Sequence, residues 1–285
     1  MQPSYITAEF LDHFIASAFA EDIGDGDHSS LAAIPESFRT RAKLIVKGDG
    51  VLAGIGLAAS IFTYYDRSLK MEAYKTDGEF VKKGDIALSV EGPARGILGA
   101  ERLVLNCMQR MSGIATKTRE LVKLVAGTKA ILLDTRKTTP NFRLLEKWAV
   151  VIGGGANHRI GLFDMIMLKD NHIDMAGGIE TAIIRAKDYL RAANKALKIE
   201  VETRNLDEVS RVLKTGGVDV IMLDNMSLAD MTTAVNLING KYKTEASGNI
   251  TEETIRSVAE CGVDFISVGA LTHSVQSLDL SLKAY

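Results

Sequence analysis

The chain has 285 residues, 46% hydrophobic and 25% charged, with 34 Lys+Arg against 36 Asp+Glu and a formal net charge of -2. That length suits one barrel-sized domain or two ordinary ones, and the near-neutral balance argues against a nucleic-acid binder, so any basic patch must be local. No stretch approaches the roughly 20 apolar residues of a bilayer span, and the N-terminus MQPSYITAEFLDHF lacks the basic-then-apolar layout of a signal peptide. The cytoplasm is therefore expected. The two cysteines, Cys107 and Cys261, lie in apolar, helix-like contexts and read as buried small hydrophobes, with neither a disulfide nor a zinc site suggested.

In chain order, a helix over Ala8–Phe19 leads to EDIGDGDHSS, whose Asp22, Asp25 and Asp27 lack the remaining ligands of an EF-hand loop and read as a capped turn before Ser29-Ser30. RAKLIVKGDGVLAGI and GEFVKKGDIALSVEG follow as short alternating runs with turn signals, an α+β pattern in which Lys82 and Lys83 mark an ordinary surface turn. GAERLVLNCMQRMSGIATKTRELVKLVAG then predicts one long helix, or two meeting near Ser112-Gly113. The domains follow as 1–112 and 113–269, with no low-complexity linker between them.

From Lys129 onward, short apolar runs alternate with longer helical segments, the pattern of repeated β-α units in a parallel α/β barrel. Six runs read as strands: 129–134, 164–169, 198–203, 218–224, 243–247 and 263–268. Barrels of this kind carry their chemistry at the carboxyl ends of the strands. Those ends offer Thr135-Arg136-Lys137, Lys169, Glu202, Asp224, Ser247-Gly248-Asn249 and Gly269 in turn, with His158-Arg159 following the run Gly153-Gly154-Gly155.

Each group suits a different part of a polyanionic ligand. Arg and Lys bind carboxylate or phosphate through charge-assisted hydrogen bonds. Glu202 and Asp224 can hold Mg²⁺ together with substrate phosphate, or can form a salt bridge inside the mouth. Ser247-Gly248 precedes a helix expected to start near Thr251, whose free N–H groups suit a phosphate. The glycine run is expected to let His158-Arg159 approach the cation cluster, whereas Arg143 and Lys147, one turn apart, read as a solvated helix face. His158 taken alone reads more often as a structural histidine, and only beside Arg159 and after the three glycines do the structural and ligand readings become equal.

These residues bring a family into view. EDIGDGDHSS, GVLAG, AERLVLNCMQRMSGIAT, the block DTRKTTPNFRLLEKWAVVIGGGANHRIGLFD, LKDNHI, EVE, MLDN, EASGNI and ISVGALTHS together make the chain closely resemble the quinolinate phosphoribosyltransferases, over nearly its whole length. The resemblance implies an N-terminal open α/β sandwich, joined by the tail 270–285, and a C-terminal barrel of fewer than eight strands. It also implies a homodimer or higher oligomer and transfer of a phosphoribosyl group from 5-phosphoribosyl-1-pyrophosphate to quinolinate, with Mg²⁺ and loss of CO2. By motif matching, Arg136, His158, Arg159 and Lys169 would hold the quinolinate carboxylates, with Arg102 supplied by the neighbouring subunit. Lys137 would lie between the two substrates, with Lys137, Glu202 and Asp224 as the catalytic set. Ser247, Gly248 and Gly269 would lie by the 5-phosphate, and Thr135 and Asn249 would also bind substrate. Asn141 stands where glycine is usual, and KTGGVDV carries an extra glycine. A paralogue acting on nicotinate or tied to molybdenum uptake, a Schiff-base aldolase using Lys137 or Lys169, and a non-catalytic phosphate-ligand sensor remain as alternatives.

Overall fold

The computed structural model describes residues 2–285. The described chain divides into two compact units, one of residues 2–119, 138–154 and 271–285, the other of 120–137 and 155–270. The boundary expected at residue 112 falls inside a helix. That segment forms one continuous helix rather than two.

The first unit opens with α1 (Ala8–Ile23), whose Ile15 and Phe19 are buried, Phe19 lying 4.9 Å from the Tyr65 ring. Asp27 caps α2 (His28–Ala33) by accepting from the Ser30 N–H at 3.1 Å, so the acidic stretch is a helix start, as its turn chemistry predicts. β1 (Arg39–Val46) and the two-residue β2 (Gly50–Val51) lead to α3 (Ile55–Tyr65). Asp77 accepts from the Gly54 and Ile55 N–H groups at 2.7 and 2.9 Å, which satisfies the start of α3 with a carboxylate. GVLAG is thus a packed corner, with Leu52 and Ala53 fully buried.

β3 (Lys70–Ala73), β4 (Phe80–Val81) and β5 (Ile86–Pro93) follow, and Lys82 and Lys83 lie exposed in the turn between the last two. The 31-residue α4 (Ala94–Leu124) comes next. Gly113 keeps it continuous at a close crossing, since a Cβ there would stand 2.3 Å from the Gln276 carbonyl oxygen. Of the segment after α4, the three-residue β6 (Ile131–Leu133) belongs to the second unit and α5 (Arg143–Gly153) to the first.

In α5 the sequence reading needs correction. Lys147 is fully buried and Arg143 half-buried, with its Nε donating to Thr138 Oγ1 at 2.9 Å, so the pair is not a solvated face. Glu146 is buried too: it pairs with Arg110 at 2.8 Å and accepts from the Thr139 N–H and hydroxyl at 3.1 and 2.9 Å, anchoring the loop before α5. Buried charges persist only when paired in this way. Asn141 in that loop has φ 62°, a left-handed conformation that explains why a glycine suits the position and why Asn is the next best residue.

The second unit continues with β7 (Met165–Leu168), α6 (Asp170–Ala176), α7 (Ile179–Ala192), β8 (Lys198–Thr203), α8 (Leu206–Thr215), β9 (Val220–Asp224), α9 (Leu228–Ile238), β10 (Lys243–Ser247), α10 (Ile255–Glu260) and β11 (Phe265–Ser267). All six predicted strands are present, trimmed by one or two residues at some ends. They form one parallel sheet in the order β6-β11-β10-β9-β8-β7, so β6 and β7 are edges and the barrel is incomplete, with six strands. The extra glycine ends α8, where Gly216 and Gly217 both have positive φ. Cys261, at the end of α10, is half-exposed rather than buried, and Cys107 is buried; neither is bridged.

The chain ends with α11 (Ala270–His273) and β12 (Leu280–Ala284). β12 pairs antiparallel with β1 from Val46↔Leu280 to Ala42↔Ala284, completing the sheet β12-β1-β5-β3 of the first unit. Leu44, Val46, Leu88 and Val90 from its central strands are fully buried. No helix among the described residues is long and apolar enough to cross a membrane.

Gly113→Ala forces Cβ onto a backbone carbonyl and should cost about 1–3 kcal/mol. A lowered urea midpoint checks this, and an unchanged midpoint would show that the crossing relaxes freely.

Candidate active site

The candidate residues of the second unit are arranged from a single buried carboxylate. Asp134, fully buried directly after β6, accepts from Asn157 Nδ2 at 2.6 Å and from the His158 N–H at 2.9 Å. The backbone of Ala156 adds two hydrogen bonds to the same strand end, to Leu132 O and from the Asp134 N–H. The segment 156–158 is therefore fastened to β6 by an isolated parallel bridge, Leu133↔Ala156. Gly153 and Gly154, expected to clear a path for it, serve α5 instead. A Cβ on Gly153 would meet the Ala115 carbonyl at 2.6 Å, and Gly154 is the left-handed cap at φ 101°.

His158 turns its ring into the barrel, where its side chain is 6% exposed. Its Nε2 lies 2.9 Å from Glu200 Oε2 on β8 and 3.4 Å from Glu245 Oε2 on β10. In the sheet order, β6 and β8 are four strand spacings apart, about 19 Å if the sheet were flat. The contact between a residue tethered to β6 and one on β8 shows that the sheet curls into a barrel. His158 Nδ1 accepts the Arg159 N–H at 2.7 Å, which leaves the proton of a neutral ring on Nε2, facing the two carboxylates.

Protonation follows from this crowding. Burial works against the His158 cation, but Glu200 and Glu245 outweigh it and raise the ring to about 10. Burial, and then the Glu245 charge, push the Glu200 carboxyl up to about 7. These are two descriptions of one extra proton held by a coupled cluster. The Arg159 N–H at Nδ1 favours a neutral ring with that proton on Glu200. Sequence reasoning missed Glu200 and Glu245 because it stopped at the strand ends. Glu200 and Glu202 at i and i+2 on one barrel strand were the available signal.

Above this cluster, Arg159 is half-buried and donates Nη1 to Met165 O at 3.3 Å. Its guanidinium is held below its ordinary pKa by burial and then by the neighbouring positive charge of Arg136. Two arginines that repel each other at a strand end are arranged for an anion. Thr135 Oγ1 accepts the Lys137 N–H at 3.0 Å, which shapes the exposed loop carrying Arg136 and Lys137.

Lys169 is not inside its strand, as expected, but one residue beyond it, at the start of α6. Its side chain is 50% exposed and its N–H donates to His172 Nδ1 at 3.0 Å. Its Nζ lies 3.5 Å from Glu202 Oε2. The Glu202 carboxyl is raised above its ordinary value by burial, with Lys169 opposing and Asp224 reinforcing the shift.

At the ends of β9 and β10, Asn225 accepts a bond from Asn249 Nδ2 at 3.0 Å, donates Nδ2 to Asp224 at 2.7 Å, and donates its N–H to Ser247 O at 2.9 Å. Gly248 has φ 94°, and a Cβ there would strike the Asn225 side chain at 2.2 Å. The helix expected near Thr251 starts at Ile255, because Thr251 and Thr254 bond to each other in the preceding turn. Gly269 precedes α11. Arg102 belongs to the first unit, exposed on α4.

This is an α/β-barrel protein with cations, carboxylates and small-residue turns at the carboxyl ends of its strands. Residues 27–112 match the family description "Quinolinate phosphoribosyl transferase, N-terminal domain" and residues 114–283 the corresponding C-terminal domain. The chain is 51% identical to the chloroplastic nicotinate-nucleotide pyrophosphorylase [carboxylating] of Oryza sativa over 281 residues, covering 93% of this chain and 75% of that protein. It is 49% identical to the Arabidopsis thaliana protein of the same name, covering 99% and 84%. The crystal structure of NadC from Streptococcus pyogenes superposes with a TM-score of 0.92 at 40% identity, covering 98% of this chain and 97% of that one. The chain belongs to the quinolinate phosphoribosyltransferase family.

The folded cluster binds a proton that its separated groups would release at neutral pH. A raised folded pKa gives stability that is full below the unfolded value and lost as pH climbs through the folded one. For Glu200 the window is about 4.5 to about 7, and for His158 about 6.5 to about 10. Urea midpoints should therefore fall as pH rises from 6 to 10, and less steeply in Glu200→Gln. Equal slopes in the two proteins would refute the shared proton.

Proposed function

We propose that this chain transfers the phosphoribosyl group of 5-phosphoribosyl-1-pyrophosphate to quinolinate, giving nicotinate mononucleotide, pyrophosphate and CO2. One observation carries this reading: Arg136 follows the end of the first barrel strand, and its positive charge lies close enough to Arg159 to disfavour the charge of that guanidinium. Lys169 begins the loop after the second, facing Glu202. Quinolinate is a dianion and its partner a polyanion, so cations must offset their repulsion before the ring nitrogen can reach the anomeric carbon.

In this reading Arg136, Arg159 and Lys169 hold the two carboxylates, His158 braces the set from below, and Thr135 and Lys137 border both substrates. The nitrogen lone pair forms the bond to the anomeric carbon as the bond to pyrophosphate breaks. Glu202 and Asp224 stabilise the positive charge that develops on the sugar, as carboxylates do in glycoside chemistry. The resulting pyridinium accepts the electron pair left when the adjacent carboxylate departs as CO2, and a proton takes its place on that carbon. Ser247, Gly248, Asn249 and Gly269 take the 5-phosphate through the tight turns that Gly248 permits.

Glu202 and Asp224 also suit Mg²⁺. Burial raises the Glu202 carboxyl and the Asp224 charge adds to the shift, a cost that a divalent cation would relieve. Mg²⁺ accepts one or two carboxylates and completes its sphere with water and phosphate oxygens. When bound it would neutralise charge on the pyrophosphate.

Arg102 is assigned to the neighbouring subunit's site in a homodimer or a higher oligomer. Its exposure on α4 is consistent with that role. The cytoplasm is the proposed compartment, supported by the unbridged Cys107 and Cys261.

Incubation with quinolinate, phosphoribosyl pyrophosphate and Mg²⁺ should yield pyrophosphate and CO2, and EDTA should abolish both. Arg136→Ala and Lys169→Ala should each lower quinolinate turnover by about 10- to 100-fold, the cost of a lost charge-assisted contact. Wild-type turnover in both variants would defeat the assignment. Mixing the impaired Arg102→Ala and Lys169→Ala variants should raise activity above that of either alone, whereas no gain in verified mixed dimers would place Arg102 in its own chain's site.

A further inference from the structure

Beneath the mouth, the Glu200 and Glu245 side chains are buried and face the His158 ring, their Oε2 atoms lying 2.9 and 3.4 Å from its Nε2. Their ligating atoms and the ring nitrogen all lie within 4.8 Å of one another, close enough for a metal ion. The ring decides between a metal and a proton. Nδ1 is occupied by the Arg159 N–H, so the proton of a neutral imidazole is on Nε2, and no lone pair is left there for a cation. The Nε2–H itself takes the place between the carboxylates.

We propose that Glu200 and Glu245 are positioning residues for the dicarboxylate half of the site. By gripping Nε2 of His158 from inside the barrel, they fix the ring whose Nδ1 holds the Arg159 backbone. Asp134 fixes the preceding peptide through the His158 N–H at 2.9 Å. Arg159 thus follows two successive pinned peptides, which set where its side chain starts. Holding a guanidinium in place before substrate arrives removes an ordering cost from binding. Neither glutamate needs to touch substrate. The proposal rests on the reading of Arg159 as a quinolinate ligand.

The test is steady-state kinetics of Glu200→Gln and Glu245→Gln with each substrate varied. The KM for quinolinate should rise about tenfold in each, and the KM for phosphoribosyl pyrophosphate should stay within twofold. In a His158→Phe background the same substitutions should add nothing further. Folded variants with a wild-type quinolinate KM, or with both KM values rising together, would overturn the proposal. Inactivity of the wild-type chain on quinolinate would instead overturn the functional reading beneath it.

Should the Gln variants fail to fold, ¹⁵N-histidine NMR of the wild-type protein supplies a second measurement. One ring should show a slowly exchanging proton on Nε2 and an unprotonated Nδ1. The opposite tautomer for the buried ring would also sink the idea.

Discussion

The site depends on one buried carboxylate. Asp134 is fully buried at the end of β6 and spends both oxygens on the segment 157–158. With the two Ala156 backbone bonds, it holds residues 156–158 beside a strand they do not continue. Without it, His158 would lose its route into the interior and Arg159 its place near Arg136. A buried carboxylate that accepts a backbone and an amide hydrogen is satisfied and stiff, which a cationic cluster needs in order to remain assembled against its own repulsion.

Two layers of charge therefore sit one above the other in the second unit. The lower layer, His158 with Glu200 and Glu245, is shut away from water and holds a proton. The upper layer, Arg136, Arg159, Lys169, Glu202 and Asp224, is partly open and carries opposed charges on neighbouring strands. The alternation of a β-strand links the layers directly, since Glu200 and Glu202 project from the same face of β8 two residues apart. A change in the lower layer must reach the upper one through that shared strand or through the His158-Arg159 peptide.

Much of this was legible in the sequence. Six strands could be found because parallel strands covered on both faces read as unbroken apolar runs, and their ends named Arg136, Lys169, Glu202 and Asp224 without further help. Other features were hidden. The 143–147 spacing looks like an exposed face because helical period does not reveal that α5 is enclosed on nearly every side, charges included. The start of α10 was placed four residues early because Thr251 and Thr254 satisfy each other locally, which propensity does not register. Glu245, in KTEAS, carries no local mark of its role, which exists only once the sheet curls.

The pairing of β12 with β1 bears on how the molecule is made. The first unit uses residues near both ends of the chain, and the segments that complete the barrel lie between them. During synthesis, β1 must wait with one edge unpaired while some 230 further residues emerge (a ribosome takes about 10 to 50 s at 5–20 residues per second). The barrel strands, by contrast, meet neighbours made just before them, apart from the closing step of β11 onto β6. The vulnerable period for this chain is thus the interval in which the half made first is still missing its last strand.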